Sequence, residues 1–280
     1  MKFLIQNFGS LWMAAMVTLA LKTGAADLVT NPSPTNSPYL EPKLLTGAIY
    51  ENADSRKVLF HFRRTATNAG NRVFVLREFT RPDGKPAARE RVVYDGTDLI
   101  SFKLEEFQIG ALSSAIIRTN PANAREKQIA FEHAQPSTRK NNVEKLQPNI
   151  LIGDMIAPFI TAHWRTLSEG ATVKLRLVAL SRTETVGFKL RKESEAVWKG
   201  KPVVHIRMEP SSLIVARLLD PLIFVMDKEP PHRILQYTGR TTPSVLKNGR
   251  WEDLDGFTVF DWDQTPALPS SGAGQNPTRD

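Results

Sequence analysis

Histidine is the side chain whose charge changes nearest to neutral pH, and it is the commonest metal ligand. The chain has five, His61, His133, His163, His205 and His232. No two stand four apart with an acid between them, so the paired-histidine helix of a metal hydrolase is absent. His163 falls on an apolar helical stripe beside Trp164 and Arg165, and His205 alternates within a strand-like run. In such places a lone histidine is more often a satisfied core residue than a ligand. Cysteine does not occur, which removes disulfides, thiolate metal sites and a cysteine nucleophile together.

The other routes to chemistry are equally thin. There is no Gly-x-Ser-x-Gly elbow and no phosphate-cradling glycine loop. Ser-x-x-Lys occurs as Ser137 with Lys140 and as Ser244 with Lys247, in both cases without the partner motifs of a penicillin-binding enzyme. Asp253, Asp255, Asp261 and Asp263 gather near the C-terminal strand. The run Asp253-Leu254-Asp255-Gly256 lacks the third ligand and distal glutamate of a calcium loop, so it reads as a solvated turn. Glu105 and Glu106 are neighbours in a strand and point to opposite faces, which defeats paired acid–base work. The expectation is a protein without catalytic residues, metal or cofactor.

What could hold a ligand instead is an apolar wall, and the elements that would build it are legible. From Asn149 to Leu167, Ile152, Met155, Ile156, Phe159, Ile160, His163 and Leu167 recur at helical spacing, which predicts an amphipathic helix. Pro158 sits inside the pattern, where it is tolerated only in a first turn; the helix therefore starts near Asp154 or Ala157 and ends at Gly170. Alternating runs precede it: Val58 to Arg64, Val73 to Phe79, Arg91 to Tyr94 and Leu99 to Leu104. The turn residues Asn68-Ala69-Gly70-Asn71, Pro82-Asp83-Gly84-Lys85 and Asp95-Gly96-Thr97-Asp98 join them into an antiparallel meander.

Ile109 to Ile117 is ambiguous between helix and strand, Gln128 to Glu132 reads as a strand, and Gln135 to Asn149 as an exposed loop. After Gly170 the period of two resumes through Val173–Ala179, Val186–Leu190 and Val203–Met208. Leu213 to Leu219 reads as a short helix after Ser211-Ser212. Leu222–Met226, Arg233–Tyr237 and Gly256–Trp262 then read as closing strands. No fixed period repeats, so a propeller or solenoid is not expected. The fold class that results is mainly β with one or two helices, a curved antiparallel sheet (half-barrel) covered by a central amphipathic helix. Its inner wall would carry Phe60, Phe62, Phe74, Phe79, Phe102, Ile156, Phe159, Ile160 and Trp164, lining a groove for acyl chains if the helix leaves the sheet incompletely filled.

At 280 residues the chain suits one large β domain. Lys2, an apolar run from Leu11 to Leu21 and small residues up to Ala26 have the layout of a secretory signal peptide cleaved near Ala26. Residues 27–43, rich in Pro, Ser, Asn and Thr, read as a flexible leader. The domain is expected over 44–263, with a disordered tail over 264–280. Export without cysteine points to a bacterial periplasm or secretion. The formal net charge is +8, to which Lys2 and Lys22 contribute two, so the mature chain stays basic. Such a balance suits anionic headgroups or peripheral membrane contact, while the dispersal of Lys and Arg without one dense block disfavours nucleic acid.

The order of parts resembles that of the periplasmic lipoprotein-carrier (LolA/LolB-like) half-barrel families. It rests on the signal peptide, the meander, the helix and the closing pair Leu219-Asp220-Pro221-Leu222-Ile223-Phe224-Val225-Met226-Asp227 and Arg233-Ile234-Leu235-Gln236-Tyr237-Thr238-Gly239-Arg240. The resemblance covers roughly Leu44 to Trp262. It implies an open barrel taking apolar or lipid-linked ligands without cofactors; no site residue carries over, because no motif matches position by position. An exported, non-catalytic carrier is the function this implies. The alternative is an envelope structural or interaction protein with a filled core, and a hydrolase would need histidines and acids converging in one cleft.

Overall fold

The computed structural model describes residues 37–212 and 220–263. The expected signal peptide, the short helix at Leu213–Leu219 and the C-terminal tail lie outside the described residues. Strands β1 (Leu44–Tyr50), β2 (Val58–Ala69), β3 (Arg72–Thr80), β4 (Pro86–Asp95), β5 (Asp98–Glu106), β6 (Ala111–Asn120), β7 (Asn123–Gln135) and β8 (Thr138–Lys145) form the first meander. Gly84 and Gly96, with φ of 81° and 57°, supply the left-handed turn conformations between β3, β4 and β5 that a Cβ would disfavour.

A short β9 (Ile150–Leu151), a 3-10 turn (Gly153–Met155), α1 (Ile156–Ala162) and α2 (Trp164–Ser168) follow. The second meander is β10 (Val173–Ala179), β11 (Glu184–Trp198), β12 (Lys201–Pro210), β13 (Leu222–Asp227) and β14 (Ile234–Arg240). A two-stranded hairpin, β15 (Val245–Lys247) and β16 (Arg250–Glu252), precedes β17 (Asp255–Asp261). β17 inserts between β1 and β14, so both meanders become one 15-stranded curved sheet running from β8 to β9.

Its two ends are tied by side chains. At the edge strand β8, Asn142 donates through Nδ2 to the Thr183 carbonyl at 2.9 Å, and the Glu144 carboxylate accepts from the Thr185 amide at 3.2 Å and from its hydroxyl at 2.7 Å. These bonds tie β8 to the turn between β10 and β11 and to the start of β11.

Three expectations need correction, and one segment left open is resolved. The segment Asn149–Leu167 is not one helix: Asn149 has φ of 54°, Ile150 and Leu151 pair in parallel with β10, and the helical part divides at His163. Pro158 does stand in the first turn of α1, and Gly170 closes α2 with φ of 85°. The loop expected over Gln135–Asn149 is mostly β8, a strand whose polar side chains nearly all face water, so it carries no apolar alternation to read. Ile109–Ile117, open between helix and strand, is a strand from Ala111 onward, in β6, with residues 109–110 in the turn before it. The leader expected up to Lys43 is packed from Ser37 onward: Tyr39 is buried and stacks on Tyr94 with ring centroids 4.0 Å apart.

Candidate functional site

Because successive residues of a strand alternate faces, the register places one inward residue of each strand in a continuous row. Arg64 faces Arg77, Arg77 faces Glu90, Glu90 faces Leu104, Leu104 faces Ser113, and Ser113 faces His133. The row on one side is apolar, from Ala66 through Val75, Val92, Phe102 and Ala115 to Phe131; the row on the other starts with Phe62, Phe79 and Ala88. A polar layer thus crosses the inside of the barrel and separates a large apolar cluster from a smaller one around Phe60, Phe62 and Phe79.

Asp154, from the turn before α1, inserts into this layer. Arg64 donates to its carboxylate through Nε at 2.6 Å and Nη2 at 3.1 Å, Arg77 through Nη2 at 2.9 Å, and the Tyr94 hydroxyl at 3.0 Å. The remaining donors of Arg64 reach the Pro42 carbonyl at 2.6 Å and the Tyr39 carbonyl at 2.7 Å. Arg77 also donates to Glu90 at 3.3 Å, and Glu90 accepts from the Thr242 hydroxyl. Burial alone would raise the Asp154 carboxyl, but Arg64 and Arg77, helped by the Tyr94 hydroxyl, hold it below the ordinary range. Burial, followed by the Asp154 charge, pushes Tyr94 well up and Tyr39 up to about 12. Two guanidinium groups against two carboxylates leave the layer neutral.

Farther along the row, Ser113 Oγ and His133 Nδ1 lie 2.8 Å apart, both buried. Burial and then the nearby Lys140 lower the His133 pKa. A serine beside a histidine is half of a hydrolytic pair, yet neither atom reaches a surface where an acyl group could approach. Of the other histidines, His163 bonds the Phe159 carbonyl through Nδ1 at 2.9 Å, and His232 stacks on Trp164 at 3.8 Å. Among the described residues no group of three or more His, Asp or Glu could hold a metal ion.

The nine residues expected to line one groove are divided. Phe60, Phe62 and Phe79 belong to the smaller cluster, Phe102, Ile156 and Ile160 to the larger, and Phe159 and Trp164 pack half-buried against the larger. Phe74 is a correction: it stands on the outer face, 41% exposed, because Val73 and Val75 take the inward positions of β3. Two concavities lie along the strands rather than beneath the helical segment. One, of about 570 Å³, runs along β1 past Thr46, His61 and Arg63; the other, of about 490 Å³, adjoins Arg176 and Ser211. Sequence reasoning missed Arg64, Arg77, Glu90, Tyr94 and Asp154 as a group. The available signal was parity: Arg64 shares its face with Phe60 and Phe62, and Glu90 shares its face with Val92 and Tyr94.

One large curved sheet with its ends tied and its inside crossed by a charged layer makes this a mainly β, β-barrel-like protein. No family model matches the chain, and no curated protein matches its sequence. Among solved structures it is similar to a beta-barrel-like protein of the domain of unknown function DUF1849 from Brucella abortus, with 5% identity and a TM-score of 0.36, over 78% of this chain and 92% of that chain.

Proposed function

We propose that this is an exported, non-catalytic interaction protein of the cell envelope whose barrel interior is structural. The observation that carries the reading is that the acids and bases of the interior layer engage one another: Arg64 and Arg77 share Asp154, and Arg77 joins Glu90. A charged layer already neutralised by its own members offers no free charge to a substrate, and desolvating it for a ligand would cost several kcal/mol per ion. The carrier reading would need room beneath the helical segment, where Ile156, Ile160 and Leu167 are buried in the main cluster. Export rests on the sequence of the N-terminus.

The experiment is organic extraction and mass spectrometry of the protein purified from its native envelope. No stoichiometric lipid should be recovered, and affinity capture should return protein partners reproducibly. A co-purifying acyl lipid at one per chain would overturn the filled-interior reading and restore the carrier.

A further inference from the structure

If the inside is structural, recognition falls to the outside, and the outer face of the first meander carries an arrangement that packing within the chain does not explain. The same register that builds the interior layer aligns a second row on the opposite face. Phe74 faces Val93, Val93 faces Ser101, Ser101 faces Ile116, Ile116 faces Ala130, and Ala130 faces Val143. Phe74, Ile116 and Val143 are 41%, 40% and 48% exposed. At the usual strand spacing the row extends about 24 Å from β3 to the edge strand β8. Outward strand positions of a wet sheet face are ordinarily polar, and six aligned residues without a charge are a departure from that pattern.

The flanking outward rows are ionic. Arg91 and Lys103 lie on one side, and Arg72, Arg118 and Lys145 on the other, against Asp95, Asp98 and Glu132. Asp98 is held by Lys127, Arg91 is paired with Glu105 and Lys145 with Glu126, so the free positive charge of the edges is that of Arg72, Lys103 and Arg118, which are exposed and form no ion pair among the described residues.

We infer that this band is a docking face for an anionic bilayer surface, resting on its basic edges with Phe74, Ile116 and Val143 in the headgroup boundary. The inference rests on the reading above, in that the ligand is met outside the barrel. Two features favour a bilayer over a protein partner. The band is an aligned row on the outside of a curved sheet, and neither the concavity along β1 nor the one beside Arg176 is lined by it, whereas protein interfaces depend on anchors buried in pockets. Long cationic side chains beside an apolar strip can instead bury their stems and leave their charges among lipid phosphates.

The test is flotation of the purified full chain with vesicles of phosphatidylcholine alone and of phosphatidylcholine mixed with phosphatidylglycerol in equal parts. Two variants are compared: Phe74→Ser with Ile116→Ser and Val143→Ser, and Arg72→Gln with Lys103→Gln and Arg118→Gln. All forms share one N-terminus, so differences between them read the band alone, and thermal melting checks that each stays folded. Binding is expected only with phosphatidylglycerol, weakened by salt. The apolar variant should bind at least tenfold less, and the charge variant should lose about fivefold for each cation removed. Equal binding by the wild type and the apolar variant would overturn the inference, as would no binding to either vesicle. Loss of self-association or of a purified partner protein in the apolar variant, with vesicle binding unchanged, would assign the band to a protein contact instead. None of these failures touches the filled-interior reading, which a stoichiometric extracted lipid would overturn.

Discussion

Replacing Asp154 by asparagine keeps the shape of the side chain and removes one charge from the interior layer. The Asp154 side chain is 3% exposed and that of its closest partner, Arg64, 5%, so neither charge is screened by water. With the charge gone, the amide oxygen can still accept from one guanidinium, but the NH2 group that replaces the second oxygen meets the remaining Arg64, Arg77 or Tyr94 donors instead of accepting from them. Leaving one partner of a buried pair uncompensated costs about 3–5 kcal/mol. For a domain of this size that corresponds to a fall in Tm of roughly 6–20 °C, taking about 2–4 °C per kcal/mol.

The dependence on pH follows from the same carboxyl. Its pKa in the folded state lies below the ordinary value of 3.8. Its contribution is therefore present above that value and is lost as pH falls through the folded pKa. Thermal melts of the wild type and of Asp154→Asn should differ by a constant amount near neutrality and converge in strong acid. The paired change Arg64→Met with Asp154→Leu should recover part of the loss, since it removes one buried cation with one buried anion and leaves Arg77 paired with Glu90. A cost below about 1 kcal/mol for Asp154→Asn, the range of exposed pairs, would show that the layer is solvated and would refute the closed-interior argument.

His133 should titrate below 6.5, because burial and Lys140 disfavour its cation; its contribution to stability is then present above about 6.5 and lost as pH falls. Nuclear magnetic resonance titration of the imidazole checks this, and a midpoint at or above 6.5 would contradict it. At Gly47 an added methyl would collide with the Phe62 ring and the Val259 carbonyl oxygen. Gly47→Ala should therefore cost about 1–3 kcal/mol in chemical denaturation, with Phe62 forced off its contacts with Phe79 and Phe260. Glu144→Gln weakens the tie between the sheet ends and should speed amide hydrogen exchange in β8 while leaving the β2–β3 ladder unchanged. Uniform acceleration across both would mean that the tie is not local.

Local chemistry was enough for much of the fold. Alternation in Val58–Arg64 and Val73–Phe79, with glycine-bearing turns between them, announced the first meander because a pleated strand must sort its side chains by face. The same reasoning found Pro158 in the first turn of a helix and Gly170 at its end. It failed at β8, since an edge strand with both faces wet has no apolar period. It also failed at Ile150–Leu151, two residues whose strand pairing is made with β10, far away in the chain.

Every property of the candidate site that matters is of the second kind. Strand parity in the sequence is enough to put Arg64 on the apolar face of β2, Glu90 on that of β4 and Phe74 opposite to Val73 and Val75, although the expectation set Phe74 on the inner wall and passed over the two charges. It could not say that Arg64, Arg77 and Glu90 fall at one height, or that Asp154 arrives there from the other side of the helical segment. Those facts depend on strand register and on a contact spanning 90 residues of chain. Register is fixed cooperatively by all the strands at once, which is why only the folded sheet divides its charges into a sealed inner layer and its apolar side chains into a core and an outer band.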